Sequence, residues 1–426
     1  MSDGFILKGN ICYSQGLREL RFVEDGYLVC ADGVCAGAFG EVPDEFRRLR
    51  IDDHSGSMIL PGLTDLHVHA PQYTYWGLGM DLELIEWLNI HTFPEESKYR
   101  DLAYAEKAYR LFTEEIRKGP NTRAVIFATR HTPATLLLMD ILEESGLATF
   151  VGKVNMDRNA TPDLQEESAE ASLADTEEWL KAALDGGRYA NTKPILTPRF
   201  IPSCTDGLMR GLKAIQQKYG LPLQSHLSEN QGEVAWVKEL NPGAGSYAEA
   251  YNDFGLFGGD TPSVMAHCVW VDEGEMALMG KQGVFAAHCP QSNMNLSSGI
   301  APVRGFLDRG IPVGLGSDVA GGCHTSIFRA MSDAIQVSKL YWRLIDQTAK
   351  ALTLEEAFYL GTMGGGAFFG KVGTFLPGYE FDALVVDDGG LSGANPLDLE
   401  SRLARIVYQP ERCAILKKYV KGKNIV

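Results

Sequence analysis

The sequence has no run approaching 18 consecutive apolar residues, no Cys-x-x-Cys pair and no excess of basic charge. The first absence argues against a membrane-spanning helix, which needs about 20 such residues. The opening stretch MSDGFILKGNICYS lacks the basic-then-apolar pattern of a secretory leader, so a cytoplasmic chain is expected. Its eight cysteines (Cys12, Cys30, Cys35, Cys204, Cys268, Cys289, Cys323 and Cys413) are scattered, which fits reduced thiols better than a disulfide framework or a thiolate zinc knot. With 39 Lys and Arg against 55 Asp and Glu, the net charge of −16 disfavours nucleic acid and anionic lipid as partners, since both want a basic surface. Small neutral or cationic ligands stay open. There is no internal repeat or long linker, and TMGGGAFFG at 362–370 lacks the Lys-Ser/Thr of a phosphate loop. Its glycines read as sites of close packing.

What is present points to an α/β fold. A chain of 426 residues, 45% of them hydrophobic, can build an eight-stranded α/β barrel, which takes about 250 residues, together with a smaller domain. Residues 1–57 read as short strand-like pieces broken by turn residues, as in GYLVCADGVCAGAFG. From Met58 the texture changes to short apolar runs alternating with helical patterns, the signature of βα units around a parallel sheet. Eight runs can be counted: Met58–Leu66, Ala124–Thr129, Ala148–Val154, Lys193–Pro198, Leu221–Leu227, Ser263–His267, Val284–His288 and Ile311–Ser317. Between them DLAYAEKAYRLFTEEIRKG places Leu102, Ala105, Tyr109, Phe112 and Ile116 at helical spacing. After Gly370 strand-and-turn texture returns in FLPGYEFDALVVDD, ARIVYQ and KKYVKGKNIV. The expected architecture is a (β/α)8 TIM-like barrel over 58–370, with a small β-sandwich domain assembled from 1–57 and 371–426.

The nine histidines are more informative than the cysteines. His67 and His69 close the first predicted strand in PGLTDLHVHA, and strand residues two apart face the same side. His226 ends the fifth strand in LQSHLSEN, His267 the sixth in VMAHCVW, and Asp318 the eighth in VGLGSDVAGG. Barrel enzymes gather their catalytic groups at that face, each delivered by a different strand. Three imidazoles and a carboxylate suit zinc or another borderline divalent metal, with one position left for water. Glu229, three residues after His226, can reach such a water as a proton shuttle without ligating the metal. His131 and His288 are open between a pocket rim and ordinary structural roles, and His54, His91 and His324 read as structural.

These motifs resemble the amidohydrolase superfamily, and the longer words PGLTDLHVHAPQY, DLELIEWLNIHTFPEE, GKVNMD, TPRFIPSCTDGLM, HLSEN, AHCPQSNMNLSSG and GLGSDVAGG are similar to its guanine deaminase branch. The resemblance runs from Ile59 to Gly366. It implies one zinc per chain held by His67, His69, His226 and Asp318. Glu229 then matches the proton shuttle, and His267 the histidine at the open face, where a weak further metal bond also stays open. Gln72, Arg199 and Phe200 match the positions that hold the purine. The chemistry is compatible: Arg199 can donate to O6 of guanine, Gln72 can donate and accept, and Phe200 offers an apolar ring face.

The expected reaction is hydrolytic deamination of guanine to xanthine and ammonia, with another purine, cytosine or a triazine as the competing substrate. Glu229, Asp318 and His267 would carry the catalysis. Relatives also suggest a homodimer. A two-metal site is disfavoured, because the nearby candidates for a bridging carboxylated lysine, Lys153 and Lys193, lie in words that match the one-metal branch. One departure stands out: around ATRHT the second strand lacks the Gly-Thr-Thr run of that branch.

Overall fold

In the computed structural model, which describes residues 4–426, eight parallel strands follow one another along the chain. They are Leu63–His69, Asn121–Phe127, Ala148–Gly152, Thr192–Pro194, Leu223–Leu227, Ser263–His267, Phe285–His288 and Val313–Leu315. They pair in chain order as two sets of four. A parallel bridge between Leu196 and Leu223 joins the sets on one side. On the other, the Asp318 amide donates to the His67 carbonyl at 2.8 Å, so the ring closes as a barrel. Every residue of the first, second, fifth and sixth strands is buried. Helices cover the outside and side chains fill the inside, which is why these strands read as near-continuous apolar runs.

The run predicted as one strand from Met58 to Leu66 is divided. Met58–Pro61 ends a longer strand, Arg50–Pro61, that pairs antiparallel with Ala383–Val386, and the first barrel strand starts only at Leu63. The chain crosses at Gly62, where a Cβ would stand 2.2 Å from Thr122 Oγ1. The crossing is invisible in the sequence because both sides of it are equally apolar.

Both ends of the chain enter one seven-stranded sheet. Its order is Lys423–Asn424, Ala414–Val420, Ala383–Asp387, Arg50–Pro61, Gly4–Gly16, Glu19–Ala31 and Val34–Phe39. Alternation sorts its side chains. Cys12, Met58, Leu60, Leu384 and Val386 join the large core shared with the barrel, whereas Ile11, Tyr13, Ile59, Ala383 and Val385 join Phe375, Phe381 and Tyr419 in a separate cluster. ARIVYQ, predicted as a strand, lies in the helix Leu399–Tyr408, which buries Leu403, Ile406 and Val407. Spacings of three and four residues, rather than two, are the pattern that decided it.

Charged groups fasten the sheet to the barrel. The helix Leu102–Lys118 starts at Asp101, whose side chain accepts from the Ala103 amide, and buries Ala105, Tyr109, Phe112 and Ile116, while Leu102 at its first turn is exposed. Its last carbonyls lack partners within the helix. Lys418, fully buried on the strand Ala414–Val420, supplies them: its Nζ donates to the carbonyls of Ile116, Arg117 and Gly119 at 2.8, 3.1 and 3.0 Å. Arg123 of the second barrel strand forks onto Asp382 through Nε and Nη2 at 2.7 and 3.0 Å. None of the eight cysteines forms a disulfide. Among the described residues no helix is long and apolar enough to cross a membrane. The glycine run at 364–366 is packed as expected: a Cβ at Gly366 would lie 2.6 Å from the Val372 carbonyl oxygen.

Candidate active site

The carboxyl ends of the barrel strands bring the predicted donors to one point. His67 and His69 leave the first strand on the same face, with their Nε2 atoms 3.2 Å apart, and His226 Nε2 lies 3.3 Å from His69 Nε2. Asp318 Oδ1 is 3.1 Å from His67 Nε2 and 3.5 Å from His69 Nε2. A tetrahedral ion with ligand bonds of about 2.0–2.1 Å sets its ligand atoms about 3.3 Å apart, so this spacing fits zinc. The donor chemistry fits as well. His226 Nδ1 donates to the Arg199 carbonyl at 2.6 Å, which leaves Nε2 as a bare lone pair aimed at its neighbours. Burial first, then the neighbouring imidazoles, hold His69 and His226 far below the usual histidine pKa, and burial lowers His67. Burial alone would raise Asp318, but the imidazoles of His67, His267 and His69 outweigh it and keep the carboxyl ionised. Three neutral imidazoles and one carboxylate are the protonation states a metal requires.

Local structure holds this cluster. Asp65 accepts from the Ser317 amide and the His67 amide at 3.0 and 3.1 Å and from Ser317 Oγ at 2.5 Å, tying the first strand to the eighth beside two of the donors. Burial raises its pKa to about 7. Asp318 and His267 sit at φ of 46° and 71°, in the left-handed region that costs a non-glycine residue about 1–3 kcal/mol and turns side chains off the strand line. Phe127 packs edge-on to His67 at 5.0 Å and lies 4.5 and 4.8 Å from the rings of His69 and His226. The departing second strand therefore contributes an apolar wall to the histidines.

His267 stands beside the cluster. Its Nδ1 donates to Asn293 Oδ1 at 2.9 Å, which turns Nε2 toward the two carboxylates, 3.4 Å from Glu229 Oε2 and 3.8 Å from Asp318 Oδ2. Glu229 is buried, with its amide donating to Glu233 Oε2 at 2.9 Å and Ser298 Oγ donating to its Oε1 at 3.3 Å. Burial, and next the charges of Glu233 and Asp318, push its pKa well above the usual carboxylate range. A carboxyl in that state can give a proton near neutral pH.

Gln72, Arg199 and Phe200 line the same cavity, together with Leu84, Trp87, Leu88 and Leu296. Leu84, Trp87 and Leu88 come from the irregular helical segment 84–100 that follows the first strand. Glu96, from the same segment, accepts from Arg199 Nη1 and Nη2 at 2.6 and 3.2 Å and from Gln72 Nε2 at 3.0 Å.

His131 and His288 lie apart from this cavity. His131 precedes the helix Thr132–Ser145, and His288, the last residue of the strand Phe285–His288, lines a separate pocket with Ala301 and Val303. Burial lowers them to about 4 and about 3 respectively. Lys153 Nζ is paired with Glu166 at 2.5 Å, and Lys193 Nζ donates to the Tyr189 carbonyl at 3.1 Å. Sequence reasoning missed Glu96, Asn293, Glu233 and Asp65 as partners of the site. Each lies inside or beside a word quoted for the resemblance, yet none carries a spacing that marks it.

The amidohydrolase family model matches residues 58–425. A guanine deaminase of Dictyostelium discoideum is 38% identical over 382 residues, covering 88% of this chain and 83% of the relative. That of Escherichia coli is 32% identical over 422 residues, covering 95% and 92%. The crystal structure of guanine deaminase from C. acetobutylicum with bound guanine in its active site superposes with a TM-score of 0.96 at 44% identity, covering 100% of both chains.

Proposed function

The chain belongs to the amidohydrolase family, and from that premise we propose that it deaminates guanine hydrolytically, yielding xanthine and ammonia. The observation that carries the reading is the cavity at the strand ends, which brings His69, His226, Asp318, the buried Glu229 and the Arg199–Gln72 pair together, with His67 beside them within reach of His69 and Asp318. The likeness over the full chain to a guanine deaminase that holds guanine supports the choice of base.

In this reading His67, His69, His226 and Asp318 hold one zinc. Bound there, zinc supplies a water acidic enough to act as a nucleophile near neutral pH. Arg199 donates to O6 of the base, Gln72 reads the adjoining edge and Phe200 covers a ring face. Asp318 Oδ2, the oxygen on the His267 side, accepts a proton from the attacking water. Glu229 delivers its proton to N3 as the oxygen adds at C2. His267, oriented by Asn293, lies against both carboxylates and stabilises the charge that moves between them. Asp318 passes its proton on to the 2-amino group, which leaves as ammonia, and the C2 hydroxyl gives its proton to Glu229 as the C2 carbonyl of xanthine forms, so one water is consumed for each ammonia released and both carboxyl groups return to their starting states. Leu84, Trp87 and Leu88 keep bulk water off the base.

The same reading carries one zinc per chain, a homodimer and a cytoplasmic location. Ultraviolet monitoring of guanine, isoguanine, 8-oxoguanine and cytosine with zinc-replete protein tests the substrate. Conversion of guanine to xanthine, well ahead of the others, is the expected result; turnover of another base without guanine would overturn it.

A further inference from the structure

Glu96 has no part in the reaction just described, yet its buried carboxylate backs two residues of the cavity lining and spends three hydrogen bonds on Arg199 and Gln72. We propose that Glu96 is a positioning residue that makes the cavity select a neutral base bearing a ring carbonyl, by clamping Arg199 and Gln72 on one carboxylate. The proposal rests on the guanine reading of the site and assigns the source of its selectivity.

Two features of the geometry carry it. The first is the Gln72 amide, whose two ends have nearly the same shape and differ only in donating or accepting. Glu96 Oε1 can only accept and lies 3.0 Å from Nε2; the Ala320 amide can only donate and lies 3.3 Å from Oε1. Only one orientation satisfies both neighbours. It leaves one N–H and one lone pair of Gln72 for a base, in a fixed order.

The second is the Arg199 guanidinium. Glu96 takes one N–H from each Nη in a fork, and the Phe93 ring lies 5.3 Å from the guanidinium carbon. Fork and ring fix the plane of the group, so its remaining N–H bonds hold set directions. The ion pair is 3% exposed at Arg199 and 2% at Glu96. Its neutrality keeps the cavity from becoming an anion site, and the free N–H bonds then favour a carbonyl oxygen. Without the carboxylate, a buried cation would face an amide free to turn over.

Glu96 sits at the end of Phe93–Glu96, in the segment that also lays Leu84, Trp87 and Leu88 over the cavity. Covering the base and ordering its readers are thus duties of one stretch of chain.

Calorimetric titration of zinc-loaded wild type and Glu96→Gln with two unreactive probes tests the role. Hypoxanthine keeps the carbonyl-bearing ring edge but has no 2-amino group to lose; purine lacks the oxygen. Glu96→Gln should bind hypoxanthine about 30-fold more weakly, the usual scale for breaking a buried charged pair, with purine affinity and zinc content nearly unchanged and a lower melting temperature from the loss of the buried pair. For guanine, KM should rise by a similar factor while kcat changes less. Equal loss for both probes, or no loss for either, would overturn the proposal, as would a wild type that does not prefer hypoxanthine to purine. If Glu96→Gln does not fold, Glu96→Asp, which keeps the charge but shortens its reach, is read with the same probes. Wild-type protein that forms no xanthine, yet prefers hypoxanthine and loses that preference in the variant, would sink the guanine reading and keep the role of Glu96.

Discussion

Replacing Glu229 by Gln separates proton delivery from binding. Glu229 is 4% exposed, and burial, followed by the charges of Glu233 and Asp318, raises its pKa well above the usual range, which favours the protonated acid. Glutamine copies that protonated acid closely. Its oxygen can accept from Ser298 Oγ as Glu229 Oε1 does at 3.3 Å, and its amide fills the same space beside His267. The ground state should therefore survive, with the KM for guanine within about threefold of wild type. Only the proton is lost, and general acid–base assistance is typically worth about 10²–10⁴ in rate, or about 2.7–5.5 kcal/mol of barrier. The assay is ultraviolet turnover of guanine with zinc content measured on the same sample. A kcat within tenfold of wild type would refute the role of Glu229. Zinc loss in proportion to kcat would show that the side chain supports the metal rather than the proton.

Zinc content by mass spectrometry should be close to one per chain, with activity lost on chelation and restored by adding metal; two per chain would contradict the four-donor site. His288 is buried, and burial holds its pKa at about 3. The folded protein stays neutral there while the unfolded chain takes up a proton near the usual histidine value. Stability is then complete above about pH 6.5 and falls with pH, by about 2 kcal/mol between about pH 6.5 and 5. In His288→Asn the difference between the urea midpoints at those two pH values should shrink, and an unchanged difference would exclude this origin. Lys418→Met leaves the carbonyls of Ile116, Arg117 and Gly119 without their donor. Leaving buried carbonyls without a hydrogen bond costs about 1–3 kcal/mol, seen as a lower melting temperature with little change in KM; an unchanged melting temperature would mean that other donors replace it.

The chemistry of the donor cluster was legible because its rules are local. Strand alternation puts His67 and His69 on one face whatever the rest of the chain does, and apolar runs that end in His226, His267 and Asp318 carry their own direction. The eight-strand pattern followed from the same periodicity. It failed at Met58–Leu66, where one apolar run serves two sheets, and at ARIVYQ, where a short helical stretch was read as strand-and-turn texture.

The sequence by itself thus determined which side chains of suitable chemistry stand at the strand ends, because residue type and period decide that placement. Tertiary structure alone decided which partners tune them. Arg199 meets Glu96 across 103 positions, His267 meets Asn293 across 26, and Lys418 reaches the end of a helix about 300 residues away. Such pairings depend on where barrel closure brings distant strand ends and loops together. A hydrogen bond acts over about 3 Å, and no periodicity along the chain encodes that distance between residues so far apart in sequence.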